Sequence, residues 1–322
     1  MLPAMLLDAP IAIFVFNRPR HLARTLRSLS VSPGFLESPI YVYADGPRSA
    51  SDEELTRAAR SVAQEFLGSR AVYRYRTRNV GLAASISEGV SELTDRFGQV
   101  IVVEDDLEVA PGFLTYMNQA LKRYADSPDV YQVAAHMYAT LREEERKSAV
   151  FLPIVSTWGW GTWKRAWATY DDKASGWERL AADRKLRWRF NFNGVYDYSA
   201  MLERQMRGKA DSWGVRWYWS VFRQNGLVCY PPRTLVRNLG MDGSGTHGKG
   251  RLRAFSATTE LQSSGDILLP IPPALEADEV RRVRHAIWVQ NGRWLGYAVD
   301  RLRRLYWAMR RTGFTNRASR LE

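Results

Sequence analysis

The stretch Val100-Ile101-Val102-Val103-Glu104-Asp105-Asp106-Leu107-Glu108-Val109-Ala110-Pro111 joins four consecutive β-branched residues to three adjacent carboxylates. A short apolar run that ends in turn-forming residues is typical of a fully buried strand in a parallel sheet. The acids would then emerge at the carboxyl edge of the sheet, where open α/β sheets bind their ligands.

Adjacent carboxylates repel one another, and two interpretations of this acidic triplet remain open. The first is a site for Mg²⁺ or Mn²⁺, which prefer carboxylate oxygens and share their coordination with substrate phosphates. The second is a solvated acidic turn that complements the start of a helix.

Strand and helix patterns alternate through the first hundred residues. The predicted strands are 9–16, 39–44, 71–75 and 99–103, and the predicted helices are 19–29, 51–66 and 82–97. Such alternation predicts an α/β fold whose mostly parallel sheet has right-handed crossovers and flanking helices.

Polar residues follow each of the three earlier strands: Arg18 follows the first, Asp45 the second and Asn79 the third. Parallel strands place these loops at one edge, where they suit a nucleoside diphosphate. Asp45 would accept from a base or ribose, Arg18 would reach a phosphate, and residues 104–106 would hold a metal. There is no Walker loop, and no G-x-G-x-x-G follows the first strand.

Tryptophans are concentrated in the second half of the chain. Trp158 and Trp160 alternate with glycines, and we expect both to contact a sugar. Trp163 and Trp167 are four residues apart and predict the buried face of a helix. Trp213 lies beside Asp211 in a further aromatic group.

Residues 241–248 are too glycine-rich for a regular element. They predict either a mobile loop that closes on a nucleotide, with His247 near the metal or diphosphate, or a connector without function.

Composition restricts the class of protein. The only cysteine, Cys229, excludes an internal disulfide and suits a reducing compartment. No apolar run reaches the roughly 18 residues of a membrane span. Residues 281–322 hold eleven arginines and two acids and contribute +9 of the net charge of +12, so the charge does not indicate nucleic-acid binding by the core.

Within that basic segment, residues 294–311 have the spacing of an amphipathic helix. Two interpretations stay open: it binds an anionic membrane surface, or it docks on the main domain with its arginines in water.

Together these motifs resemble the GT-A glycosyltransferases, and most specifically the N-acetylglucosaminyltransferase I-like family, over about residues 9–250. The resemblance rests on residues 16–18, Asp45-Gly46, the extended motif 102–111, Gly159-Trp160 and the segment from Asp211 to His247. It implies an inverting transferase that uses a UDP-sugar, by default UDP-GlcNAc, with Mn²⁺ or Mg²⁺.

The resemblance also implies residue roles. Asp106 would be the main metal ligand, Glu104 and Asp105 would contact the donor sugar and ribose, and Asp45 would bind the uracil. Arg18 would approach the diphosphate. Asp211 is the natural catalytic base, although the family's Trp-Asp-Asp-Trp run is here Ala210-Asp211-Ser212-Trp213, and Glu203 is the next candidate. Asn79 and His247 complete the expected donor site, and Trp158, Trp160 and Trp213 the acceptor side.

The expected organisation is a donor-binding half at 9–135, an acceptor and catalytic half of the same domain at 136–250, and an extension at 251–322. We expect a cytoplasmic enzyme, peripheral on the inner face of the membrane, that transfers sugar to a glycan or lipid-linked acceptor in bacterial surface polysaccharide assembly. A nucleotidyltransferase that makes nucleotide sugars and a non-catalytic glycan- or membrane-binding protein are the alternatives.

Overall fold

The computed structural model describes residues 8–138, 147–210, 212–242, 261 and 267–290. Its strands are β1 (Ile11–Val15), β2 (Ile40–Ala44), β3 (Ala71–Tyr75), β4 (Gln99–Glu104), β5 (Leu107–Val109), β6 (Val130–Ala134), β7 (Val150–Leu152), β8 (Trp160–Trp163), β9 (Leu227–Tyr230) and β10 (Val236–Asn238).

The helices are α1 (Pro19–Ser30), α2 (Ala50–Leu67), α3 (Leu82–Phe97), α4 (Phe113–Arg123), α5 (Lys164–Trp167), α6 (Arg179–Ala182), α7 (Arg184–Phe190), α8 (Tyr198–Met206), α9 (Trp213–Arg223) and α10 (Ala277–Gln290). None of the helices in these ranges has the length and hydropathy needed to cross a membrane.

Eight strands form one sheet in the order β3-β2-β1-β4-β8-β6-β9-β7. β8 runs antiparallel to both of its neighbours, and β7 runs antiparallel to β9, whereas the other pairs are parallel. A second, two-stranded sheet pairs β5 with β10. The predicted α/β fold with a mostly parallel sheet and flanking helices is confirmed.

The centre of the sheet is buried because its strands are apolar on both faces. All five residues of β1 and the four central residues of β4 are buried. Helix α3 covers this region so closely that a Cβ on Gly89 would collide with the rings of Phe14 and Tyr43. Burial on both faces explains why these strands lack the alternation of a half-exposed sheet.

Several predicted boundaries need correction. Helix α2 begins at Ala50 after Ser49, so the start predicted at Ser51 is wrong by one residue. Trp163 is the last residue of β8, not part of a helix; it is buried as predicted, and so is Trp167 in α5. Strands from both predicted halves contribute to the eight-stranded sheet, and the division into donor and acceptor halves stays a prediction. The predicted helix 294–311 lies outside the described residues.

Candidate active site

The acidic triplet lies at the carboxyl end of β4, as predicted, next to the loop that follows β1. The backbone N–H of Phe16 donates to Asp105 Oδ2 at 2.9 Å, and the Thr25 hydroxyl donates to the Asp105 carbonyl at 2.9 Å. Asp105 therefore fastens β4 to β1 and α1, and this anchoring role was not foreseen from the sequence.

Asp106 has the geometry of a ligand-binding carboxylate. Its Oδ2 accepts from Arg18 Nη1 at 2.5 Å, while its Oδ1 is buried and has no hydrogen-bond partner within the described ranges. Backbone packs over the carboxylate, since a Cβ on Gly240 would collide with Asp106 Oδ2. A buried acceptor without a donor is rare in folded proteins, and a catalytic role or a bound water or ion accounts for such groups.

The triplet carries more negative charge than its surroundings compensate. Burial, with Asp106 and Asp105 beside it, raises the pKa of Glu104 well above its usual value. Burial and the neighbouring Asp106 raise the pKa of Asp105 to about 7. The pKa of Asp106 is also raised by burial, although Arg18 opposes the shift. A cation bound here would relieve this repulsion.

These residues fit a hard divalent cation that is completed by substrate. Among the described residues, no three His, Cys, Asp or Glu side chains converge into a preformed metal cage. Mg²⁺ sites usually use one or two carboxylates together with substrate phosphates and water. The Oδ1 of Asp106, which has no partner among the described residues, matches one carboxylate of that donor set.

Asp45 has a different role from the predicted one. Its Oδ1 accepts from the N–H groups of Gly46 and Val80 at 2.9 and 3.0 Å, and its Oδ2 accepts from Asn79 Nδ2 and Gly81 N–H, both at 2.9 Å. These four donors fill the lone pairs of a carboxylate. The predicted contact of Asp45 with a nucleobase therefore has no free oxygen in this conformation.

Asn79 lies at the edge of the site because its side-chain amide is hydrogen-bonded to Asp45. Asn79 Nδ2 also donates to the Gly46 carbonyl at 2.9 Å. The two loops approach so closely that a Cβ on Gly46 would collide with the Arg78 backbone. Asn79 and Asp45 together hold the loops after β2 and β3 at the site.

Asp52 is a site-edge residue that the sequence did not reveal. It lies in the first turn of α2, where its carboxylate accepts from Asn17 Nδ2 at 2.7 Å and from Arg48 Nε at 2.8 Å. The Arg48 guanidinium lowers the pKa of Asp52. Asp52 thereby fixes the loop that carries Arg18.

The three tryptophans predicted to contact a sugar differ in how exposed their rings are. Trp158 is half-buried at the site edge. Trp160 is 0% exposed, and its ring lies 5.3 Å from that of Trp213 and 5.9 Å from that of Trp167. Trp213 is only 5% exposed. Both rings pack in the core in this structure, which leaves Trp160 without an exposed face for the predicted sugar contact, whereas the contact of Trp213 stays a prediction.

His136 and Tyr138 lie beside Trp158 and were missed. The His136 ring centroid is 4.6 Å from that of Trp158 and 5.2 Å from that of Tyr138. Both residues follow β6, which runs parallel to β4 because β8 is antiparallel to each. These two residues could have been found as polar residues that follow an apolar strand, but residues 130–134 had not been predicted as a strand.

Asp211 and His247 lie outside the described residues. On the neighbouring helix α8, Glu203, the second candidate for the base, pairs with Arg207 at 2.7 Å. A separate cavity of about 330 Å³, lined in part by Lys164, lies at the opposite edge of the sheet, since the Lys164 N–H donates to Gly98 just before β4.

The mostly parallel sheet with flanking helices is consistent with the GT-A fold of nucleotide-sugar transferases. The chain belongs to glycosyl transferase family 2, whose sequence profile matches residues 11–206. No curated protein matches the chain.

Solved structures give distant similarities. GalNAc-T7, solved with UDP, GalNAc and Mn²⁺, is 10% identical, with a TM-score of 0.44 over 71% of this chain and 43% of that one. A protein from Desulfovibrio desulfuricans described as a nucleotide-diphospho-sugar transferase is 11% identical, with a TM-score of 0.34 over 62% and 77%.

A cytidylyltransferase from Leptospira borgpetersenii is 10% identical, with a TM-score of 0.31 over 55% of this chain and 64% of that one. The chain thus spans less than two thirds of the length of the cytidylyltransferase and of GalNAc-T7.

Proposed function

We propose that the protein is an inverting, metal-dependent glycosyltransferase that transfers GlcNAc from UDP-GlcNAc to a hydroxyl of a glycan or lipid-linked acceptor. The observation that carries the proposal is the Oδ1 of Asp106, which is buried at the carboxyl end of β4 next to Arg18 and has no hydrogen-bond partner among the described residues. Membership of glycosyl transferase family 2 supports sugar transfer as the reaction. We also propose that, within the GT-A enzymes, the protein is most similar to the N-acetylglucosaminyltransferase I-like family.

In the proposed reaction, Asp211 accepts the proton of the acceptor hydroxyl as its oxygen attacks the anomeric carbon, and the bond to the diphosphate breaks. Mn²⁺ or Mg²⁺ held by Asp106 would supply charge stabilisation for the leaving diphosphate. Arg18, 2.5 Å from Asp106 in this structure, would approach the same phosphates. Glu104 and Asp105 would contact the donor sugar and ribose, and His247 the diphosphate.

We further propose that the enzyme acts at the cytoplasmic face of the membrane in bacterial surface polysaccharide assembly. The basic segment 294–311 would bind anionic lipid there and keep the active site near a membrane-borne acceptor.

A thermal-shift screen of UDP-, GDP- and dTDP-sugars, each with and without Mn²⁺, tests the donor assignment. A ligand that binds only the folded state raises the melting temperature. We expect the largest rise with UDP-GlcNAc plus Mn²⁺ and a much smaller rise without the metal. An equal rise with and without Mn²⁺ contradicts metal dependence, and no rise with any of them contradicts the proposed function.

Substitution Asp211→Asn tests the proposed base. We expect the affinity for UDP-GlcNAc to stay nearly unchanged while kcat falls roughly 10²- to 10⁴-fold, the usual contribution of a general base. Calorimetry and single-turnover kinetics measure the two quantities. Turnover near that of the unsubstituted enzyme would transfer the role to another residue, and Glu203→Gln would be tested next.

The raised pKa values predict that donor affinity depends on pH. Asp105, with a pKa of about 7, is mostly protonated at pH 6, and a cation held by the neighbouring Asp106 favours the ionised form of Asp105. The affinity for UDP-GlcNAc with Mn²⁺ should therefore rise about fivefold from pH 6 to pH 7, by nearly another twofold to pH 8, and level off above that. The donor is a diphosphate diester and does not itself titrate in this range. Asp105→Asn should flatten the profile, and an unaltered slope in that variant would exclude this carboxyl.

A further inference from the structure

The three rings of His136, Tyr138 and Trp158, here called the aromatic shelf, lie at the same sheet edge as the acidic triplet. The register of the sheet gives the position of these rings relative to Glu104. Val102 of β4, Trp160 of β8 and Ala134 of β6 occupy one row across three strands. Glu104 and His136 each lie two residues beyond that row, and the Ala135 N–H donates to the Gly159 carbonyl at 2.8 Å, which continues the ladder toward His136.

Adjacent strands are about 4.8 Å apart, so the backbones of Glu104 and His136 are separated by about 10 Å. Residues an even number apart along a strand point to the same face. Because β8 is antiparallel to both neighbours, Trp158 lies in the same row, between Glu104 and His136. The shelf therefore lies beside the proposed donor site at the same edge of the sheet.

Hydrogen bonds define which His136 nitrogen carries the proton. The Thr234 hydroxyl donates its single proton to the Val236 carbonyl at 2.9 Å. With that proton directed to Val236, we infer that Nδ1–H donates across the 3.2 Å contact between His136 Nδ1 and Thr234 Oγ1. In the neutral imidazole, Nε2 then carries the lone pair.

The imidazole is held neutral and its second nitrogen is available. Burial lowers the pKa of His136 to about 4. Within the described part of the chain, no protein donor reaches His136 Nε2. A neutral, oriented acceptor beside an aromatic ring is a suitable partner for a sugar, which offers hydroxyl donors and an apolar ring face.

We propose that His136 binds the acceptor: its Nε2 accepts a hydrogen bond from a hydroxyl of a sugar whose ring lies against Trp158. This assignment rests on the proposed transfer function and names the side of the site that receives the sugar. Thr234 is the positioning residue, because its hydroxyl sets the tautomer of His136.

Nitrogen-15 NMR of histidine-labelled protein tests the assignment directly. At pH 7, in the presence of UDP-GlcNAc and diamagnetic Mg²⁺, His136 should show a protonated Nδ1 and an unprotonated Nε2. A panel of methyl and p-nitrophenyl pyranosides is then titrated, and at least one sugar should shift the Nε2 resonance. The opposite tautomer, or no shift with any sugar, overturns the proposal.

A matched pair of variants uses the sugar that gives the shift. In His136→Asn the side-chain amide can still reach Thr234, but nothing remains at the position of Nε2; in His136→Gln an amide oxygen lies near that position. We expect the KM for the acceptor sugar to rise about tenfold in the first variant and to be largely restored in the second, as expected for one hydrogen bond.

The affinity for UDP-GlcNAc with Mg²⁺, measured by calorimetry, should change much less than the acceptor KM in both variants. The exposed His285 of α10, which stacks on Trp288 at 5.9 Å, supplies the control His285→Asn. Equal acceptor KM values in all three variants would contradict the role of His136 and leave the proposed transfer function untouched. Failure of the unsubstituted protein to bind UDP-GlcNAc contradicts the proposed function instead.

Discussion

Substitution Asp106→Asn is expected to lower the affinity for UDP-GlcNAc in the presence of Mn²⁺ by about a hundredfold or more, and to leave the weak metal-free affinity almost unchanged. The amide is neutral and cannot replace a carboxylate in holding a hard cation, whereas changes to outer-shell partners of metal ligands already cost 10- to 100-fold. Its similar size preserves the packing under Gly240. Calorimetric titration with and without metal measures the effect.

Glu108 provides a matched control for this substitution. It lies two residues further along, and its carboxylate pairs with Arg237 at 2.5 Å and with Arg24 at 3.1 Å, so it has cationic partners of its own. Glu108→Gln should therefore leave metal-dependent binding intact. Equal losses in the two variants would mean that general negative charge, and not a ligand at Asp106, attracts the metal–nucleotide complex.

Substitution Asp45→Ala is expected to destabilise the fold more than any surface change. It removes the acceptor for the N–H groups of Gly46, Val80 and Gly81 and for the amide of Asn79, at a site where Asp45 is 6% exposed. Only the bond from Gly46 is fully buried, and water can replace part of what the other three donors lose. A buried donor left without a partner costs about 1–3 kcal/mol, so the total is on the order of 3 kcal/mol. That is a large fraction of the roughly 5–15 kcal/mol of a typical domain.

Urea unfolding measures the free energy of unfolding of this variant. Asp45→Asn should have a smaller effect because one amide oxygen remains, and Glu53→Ala, at an exposed position of α2, should have almost none. A free energy unchanged in Asp45→Ala would show that the loops after β2 and β3 do not depend on this carboxylate, and would return Asp45 to the predicted nucleobase contact.

The sequence predicted the first half of the fold well because its strands are continuous apolar runs that end in polar turns. β3 and α3 have the predicted bounds, and β1, β2 and β4 differ by one or two residues at their ends. The position of the acids after β4 followed from the same pattern. Local signals of this kind are sufficient where each strand is followed by its own helix.

The second half was predicted less well because its strands are shorter and pair out of sequence order. β8 inserts antiparallel between β4 and β6, which no local pattern indicates. As a result, Trp160 looked like a residue of a glycine loop, although it begins a central strand and is fully buried. His136 was missed for a similar reason: it follows strand β6, and residues 130–134 had not been predicted as a strand.

Side-chain roles at the site were the other unpredictable part. The residue type of Asp45 suits both a nucleobase contact and a turn, and only its four hydrogen bonds distinguish them. Asp52 has the form of an ordinary acid in a first helical turn, yet its partner Asn17 is 35 residues away along the chain. Hydrogen bonds between residues far apart in the chain produce no periodic pattern in the sequence, so the sequence does not predict them.

The most direct test of the account is an anomalous difference map at a wavelength sensitive to manganese, from crystals grown with UDP-GlcNAc and Mn²⁺. We expect a single strong peak within bonding distance of Asp106 Oδ1 and of the donor diphosphate, with Arg18 turned from Asp106 toward the phosphates. A manganese peak elsewhere, or a bound nucleotide with the Arg18–Asp106 pair intact and no metal between them, would contradict the assignment of the acidic triplet as the metal and donor site.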